Sequence, residues 1–228
     1  MDSRTLTLLQ WCDSNFPSGA FSHSFGLETY IQEGAVDSKA SFQKWLKIYL
    51  DHQLVTTDGL ACRLTYDALE RDQWEEIWEL DRLITVQNVP QESREGSRKM
   101  GARMLQLAME LHFSPIFTAY HERIKNSNSF GHPALVFAMM AFQHHISKPD
   151  TLLAYLYASL SSLVQNGVRG IPLGQTDGQL LLMALQPSLL KAVEKIEGLD
   201  PSELGAVPPG LELAQIRHER LNFRLFMS

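Results

Sequence analysis

Only two cysteines occur in the chain, Cys12 and Cys62, and neither belongs to a CxxC pair. That spacing excludes a zinc ribbon and a thioredoxin-type motif, and it makes a disulfide framework an unsuitable source of stability for a chain of this size. A reducing, cytoplasmic setting is the expectation. No apolar run approaches the ~18 residues needed to cross a bilayer, and the opening MDSRTLTLLQWCDS lacks the basic flank and apolar stretch of a signal peptide. No stretch alternates apolar and polar residues strictly enough for a half-buried strand. Basic residues are outnumbered, with a formal charge of -6. A nucleic-acid surface needs clustered Lys and Arg to displace counterions, so none is expected. Phosphate cradles are missing as well, since neither G-x-x-x-x-G-K-[ST] nor G-x-G-x-x-G occurs.

What is present reads as helix. The 228 residues, 44% of them apolar, suffice for one sizeable core, and a single domain over 1–228 is expected. Phe42, Trp45, Leu46, Tyr49 and Leu50 recur at helical spacing after Asp37-Ser38, which supplies an amino-terminal cap. Met100, Met104, Leu105, Ala108 and Leu111 repeat the pattern after Pro90, and Leu152, Leu156, Leu160 and Leu163 do so after Pro149-Asp150. Three such stripes predict an all-α bundle. Asp200-Pro201-Ser202-Glu203 predicts a further short helix. Loops are expected at 13–21, 88–91, 126–133 and 205–210, leaving 211–228 as a tail that orders only against a partner.

"DSNFPSGAFSHSFGLE", residues 13–28, holds one histidine between two serines. A nucleophilic serine needs a positioned base and an oxyanion hole, and adjacency of Ser22, His23 and Ser24 supplies neither. The G-x-S-x-G elbow is also missing. A helix start capped by Ser22 or Ser24, with Glu28 in its first turn, is the simpler reading. The rival is a small hydrolase or metal-dependent enzyme built on those three residues. None of His23, His112, His121, His132, His144 and His145 is spaced i, i+4, so no metal site is read from the histidines. In "LVQNGVRGIPLGQTDGQLLLMAL", residues 163–185, Gly170, Gly174 and Gly178 lie four apart around Pro172. The spacing predicts one helix bent at the proline, with Arg169, Gln175, Asp177 and Gln179 around the bend. The charges in 91–99 read as a solvated face with Glu95 paired to Lys99. The end, "RHERLNFRLFMS", is apolar and cationic.

Together, "LLQWCDSNFPSGAFSHSFGLE", "ESREGSRKMG", "GHPALVFAMMAF", "VRGIPLGQTDGQ" and "RLFMS", in that order, resemble the urease accessory protein UreF family over nearly the whole chain. The resemblance implies an all-helical, dimeric, non-catalytic protein with no cofactor of its own. It implies a scaffold that bridges the accessory protein UreD (UreH in some organisms) and the GTPase UreG while nickel is delivered to apo-urease. By block, Arg169, Gln175, Asp177 and Gln179 are expected to face the GTPase. Phe16, His23, Glu28, Arg224, Leu225 and Phe226 are expected on the UreD/UreH-facing or dimer surface. Ala20, Gly170 and Asn222-Phe223 depart from the family's usual residues, and Phe223 in particular makes the tail more apolar. A generic helical adaptor without a tie to nickel is the remaining alternative.

Overall fold

The computed structural model describes residues 3–228, where helices follow one another with no strand among the described residues. They are α1 (Ser3–Cys12), α2 (Leu27–Gln32), α3 (Lys39–Tyr49), α4 (Leu60–Glu70), α5 (Trp74–Gln87) and α6 (Gln91–Leu111). Next come α7 (Pro115–Lys125), α8 (Pro133–Gln143), α9 (Lys148–Gly170), α10 (Gln175–Gly198) and α11 (Pro209–His218). Short 3-10 turns occupy Ala20–Ser22 and Pro201–Glu203, and a π-helical stretch, Leu50–Gly59, joins α3 to α4 without a break.

Helix starts follow side-chain chemistry. Ser38 and Ser41 form a reciprocal box at α3: the Ser41 amide donates to Ser38 Oγ at 3.3 Å and the Ser38 amide to Ser41 Oγ at 3.0 Å. Ser147 Oγ accepts from the Asp150 amide at α9, and the His132 ring accepts from the Ala134 amide at α8. Prolines open α7, α8, α9 and α11, where a missing N–H costs nothing. Asp200 accepts from Ser202 and makes the expected element at 201–203 a single 3-10 turn.

α8 is apolar all round. Every residue from Pro133 to Ala141 is buried, and α4, α6 and α9 pack against it. At this density, truncating Phe137 to alanine costs about 3–5 kcal/mol. Asp58-Gly59 closes the π-helical stretch, whose wide turns are tied from outside. Tyr155 OH donates to Asp58 Oδ1 at 2.8 Å, Thr56 Oγ1 donates to the Ala206 carbonyl at 2.6 Å, and the Gly205 amide donates to the Thr56 carbonyl at 3.0 Å.

One expectation needs correction. Residues 163–185 do not form one bent helix: α9 stops at Gly170 and α10 starts at Gln175. Pro172 forces Ile171 into extended backbone (φ -116°, ψ 151°), and Asp177 caps the Gly174 amide, so the chain restarts instead of bending. The segment 211–228 packs on the rest of the chain. Its first part belongs to α11, which packs on α2 and α6, and Phe226 and Ser228 are buried against the same chain.

Candidate functional site

The first turn of α2 places Glu28 where the helix dipole favours a carboxylate, but its bonds go to the other end of the chain. Oε1 accepts from the Leu225 amide at 2.6 Å, and Oε2 accepts from the Phe226 amide at 3.1 Å. Oε2 also lies 2.9 Å from Nε2 of His218, which is wholly buried at the end of α11. The other ring nitrogen of His218 lies 2.8 Å from Oε2 of Glu92 on α6. Glu92 Oε1 in turn accepts from Arg224 at 2.5 Å. Burial opposes the charge on Glu92, but the hydrogen bonds from His218 and Arg224 outweigh it and hold this carboxyl below its ordinary range.

The hydroxyl-rich loop completes the clasp. The Ser24 and Phe25 amides and Ser24 Oγ all donate to the Ser228 carbonyl, at 2.5, 3.2 and 2.7 Å, and the Met227 amide donates to the Ser22 carbonyl at 2.8 Å. His23 Nδ1 lies 2.9 Å from Ser228 Oγ. Burial, then Lys99 and His218, push its pKa down, so the ring is neutral. It fits because Gly96 has no side chain: a Cβ there would sit 2.7 Å from the imidazole. Ser24 caps α2 only loosely, 3.4 Å from the Glu28 amide. The Ser22–His23–Ser24 catalytic arrangement is not formed, because the ring's hydrogen bond goes to Ser228 and Ser24 Oγ is committed to a carbonyl.

Of the ten residues expected at partner surfaces, His23, Glu28, Arg224, Leu225 and Phe226 come together here. Phe16 does not. It sits half-buried in the 13–19 loop and packs on the core. Arg169, expected with the GTPase-facing group, joins the tail: its guanidinium lies 5.1 Å from the Phe226 ring centre and donates to the Phe21 carbonyl at 3.3 Å. Gln175 and Gln179 are exposed on α10. Asp177 pairs with Lys39 at 3.0 Å, and that bond, with the Gly174 amide, lowers its pKa. On α6, Glu95 pairs with Arg98 rather than Lys99. Beside this region a cavity of about 200 Å³ runs inward past Asp58, Tyr155 and His132. Among the described residues, no group of three or more His, Cys, Asp or Glu could hold a metal ion, and no helix is long and apolar enough to cross a membrane.

The remaining blocks serve the fold. Asp81, buried on α5, accepts from the amides of Phe130, Gly131 and His132 at 2.6, 3.3 and 3.1 Å and so shapes the loop before α8. His132 is kept neutral by burial, as its cap role needs. Sequence reasoning missed His218, Ser228 and the clasp role of Glu92. They lie 190, 204 and 126 residues from their partners, and no local pattern announces such a meeting.

The described residues thus form an all-α domain in which buried polar groups fasten the chain's own segments. The UreF family model matches residues 36–186. Urease accessory protein UreF of Bacillus sp. (strain TB-90) is 52% identical over 226 residues, covering 99% of this chain and all of that protein. The protein of the same name from Lachnoclostridium phytofermentans (strain ATCC 700394 / DSM 18823 / ISDg) is 50% identical over 228 residues, covering the whole of both. The chain belongs to the UreF family of urease accessory proteins.

Proposed function

We propose that the chain is a non-catalytic cytoplasmic scaffold that bridges a UreD/UreH-type protein and the GTPase UreG while nickel is delivered to apo-urease. It carries no cofactor of its own, and the metal is cargo of the assembled complex. The observation that carries this reading is the stacking of Arg169 on Phe226, which joins the tail to the α9–α10 junction. Two partners can therefore sit on adjoining surfaces. One side presents exposed Phe21, Phe223, Leu225 and Met227 around Arg224; the other presents Gln175, Asp177 and Gln179. Phe16 serves the first surface from beneath, by supporting the loop.

A homodimer inside the complex is supported by α10. Leu180, Met183, Pro187 and Leu190 recur at spacings of three and four on its outer face and are exposed. Buried partners of His23 argue against a hydrolase, and the paired surfaces favour a specific bridge over a generic adaptor.

Pull-downs with tagged UreD-like and UreG-like proteins test the reading. Leu225→Asp should weaken capture by the UreD-like protein. Asp177→Ala should weaken recruitment of UreG without lowering helical content. Full recruitment by both variants, or fully nickel-loaded urease in a host lacking this chain, removes the role.

A further inference from the structure

We propose that His112 and His144 form a two-imidazole site for an exchangeable first-row divalent metal ion. Neither residue belongs to the tail clasp or to the surfaces assigned to partners, and neither lines the inner cavity or the outer groove beside the tail. The inference is independent of the bridging role, and the ion is a passing ligand instead of a resident cofactor.

The fold makes a pair that spacing along the sequence does not announce. His112 follows the last turn of α6 and His144 the last turn of α8; with α6 packed on α8, the two ring centres lie 4.1 Å apart at an angle of 77°. Both therefore stand at a helix carboxyl end, where the macrodipole favours a cation. Nε2 of His144 is buried and has no hydrogen-bond partner. The indole of Trp11 packs on the same ring with centres 5.3 Å apart, yet its Nε1 has no partner either, so this neighbouring donor does not satisfy the imidazole. An orphaned buried nitrogen opposes folding, and a ligand that takes its lone pair removes that cost. Burial, then His112 and His145, push the pKa of His144 down, which leaves the ring neutral at neutral pH, the form in which imidazole binds metal.

Room for the ion comes from the outer ring. Two imidazoles on one tetrahedral ion, at about 2.0–2.1 Å per nitrogen, have centres roughly 5 Å apart, so a swing of about 1 Å opens the site. His112 is half-buried and sits in extended backbone where the chain leaves α6, next to fully exposed Phe113, and its ring is the one placed to move. Among the described residues no third His, Cys, Asp or Glu completes the set, so water fills the other positions and the ion exchanges readily. Arg4 stands close by on the carbonyl of His145 at 3.1 Å, and its charge further limits the affinity. Imidazole suits Zn2+, Ni2+ and Cu2+, whereas Mg2+ and Ca2+ require oxygen ligands.

Equilibrium dialysis of the untagged full chain against Ni2+, Zn2+ or Mg2+ tests the site. About one equivalent of Ni2+ or Zn2+ should bind at a free concentration of about 100 μM, and no Mg2+. His112→Ala and His144→Ala should each weaken binding about ten-fold or more, with helical content unchanged by circular dichroism, while His121→Ala at an exposed position of α7 should have no effect. Electron paramagnetic resonance with Cu2+ should show splitting from two nitrogens in the unmodified chain and from one at most in either variant. A chain that stays free of Ni2+ and Zn2+ at that concentration, as it does if a buried water joins Trp11 Nε1 to His144 Nε2, overturns the proposal. Binding that both substitutions leave unchanged overturns it equally.

Discussion

Gly101 on α6 lies against the backbone of Gly131: a Cβ at Gly101 would come within 1.8 Å of the Gly131 carbonyl oxygen. The obstacle is backbone already fixed by Asp81, so it cannot rotate aside as a side chain would. Gly101→Ala gains about 1 kcal/mol of helix propensity but meets an overpacking cost of about 3 kcal/mol or more. The melting temperature should drop by about 5 °C or more. An unchanged melting temperature would mean that α6 and the 126–132 loop are not in this register.

Asp81→Ala strips three amide donors of their acceptor at once, those of Gly131 and His132 buried and that of Phe130 partly so. An unsatisfied buried donor costs about 1–3 kcal/mol, so denaturant unfolding should report a loss of about 3–5 kcal/mol. Asp81→Asn keeps one oxygen and should lose roughly half as much. Equal stability of all three proteins would contradict the clamp.

Neither thiol should react in the folded protein. Burial raises the Cys12 pKa to about 11, and burial with the Asp58 charge raises that of Cys62 still further. The thiolate is the reactive species and is scarce at both sites at about pH 8. A chromogenic disulfide reagent should label neither within minutes and both after denaturation. Rapid native labelling of either cysteine would rule out the described burial.

The Lys39–Asp177 pair is exposed, 39% for each side chain, so solvent screens it. Asp177→Ala removes the cap on the Gly174 amide and should lower the melting temperature by only about 2–4 °C, while reducing UreG recruitment. Because the Asp177 carboxyl is held below its ordinary range by Lys39 and the Gly174 amide, its local effect is present at neutral pH. It disappears only as pH falls through that lowered value. A large loss of stability at neutral pH would show that Asp177 is part of the fold's support rather than of a surface.

On α10, Met183→Asp places a charge in the exposed apolar stripe. Light scattering after size exclusion should show a dimer for the unmodified chain and a monomer for the variant, with helical content intact. Identical masses for the two proteins would place the self-contact elsewhere.

The helices were legible because their causes are local. Phe42 to Leu50 repeat at helical spacing behind Ser38, and Ser147 and the prolines mark starts within a few residues of the structures they begin. Helical periodicity misled at 163–185, where residues on both sides of Pro172 share a pattern although Ile171 is extended. The clasp was half legible. His23, Glu28 and the tail drew notice as polar or cationic residues in unusual company, but their grouping depends on α2, α6 and α11 meeting in space. His218 stands in a segment where it reads as one more exposed base, and only burial between two carboxylates gives it a role.

The segment after α11 is gripped chiefly by its main chain: the amides of residues 225 to 227 and the Ser228 carbonyl carry the bonds, while Leu225 and Met227 point outward. A strap buckled through its peptide groups leaves its outer lettering free to be rewritten. Substituting Leu225 or Met227 singly therefore alters what the surface suits without loosening the buckle.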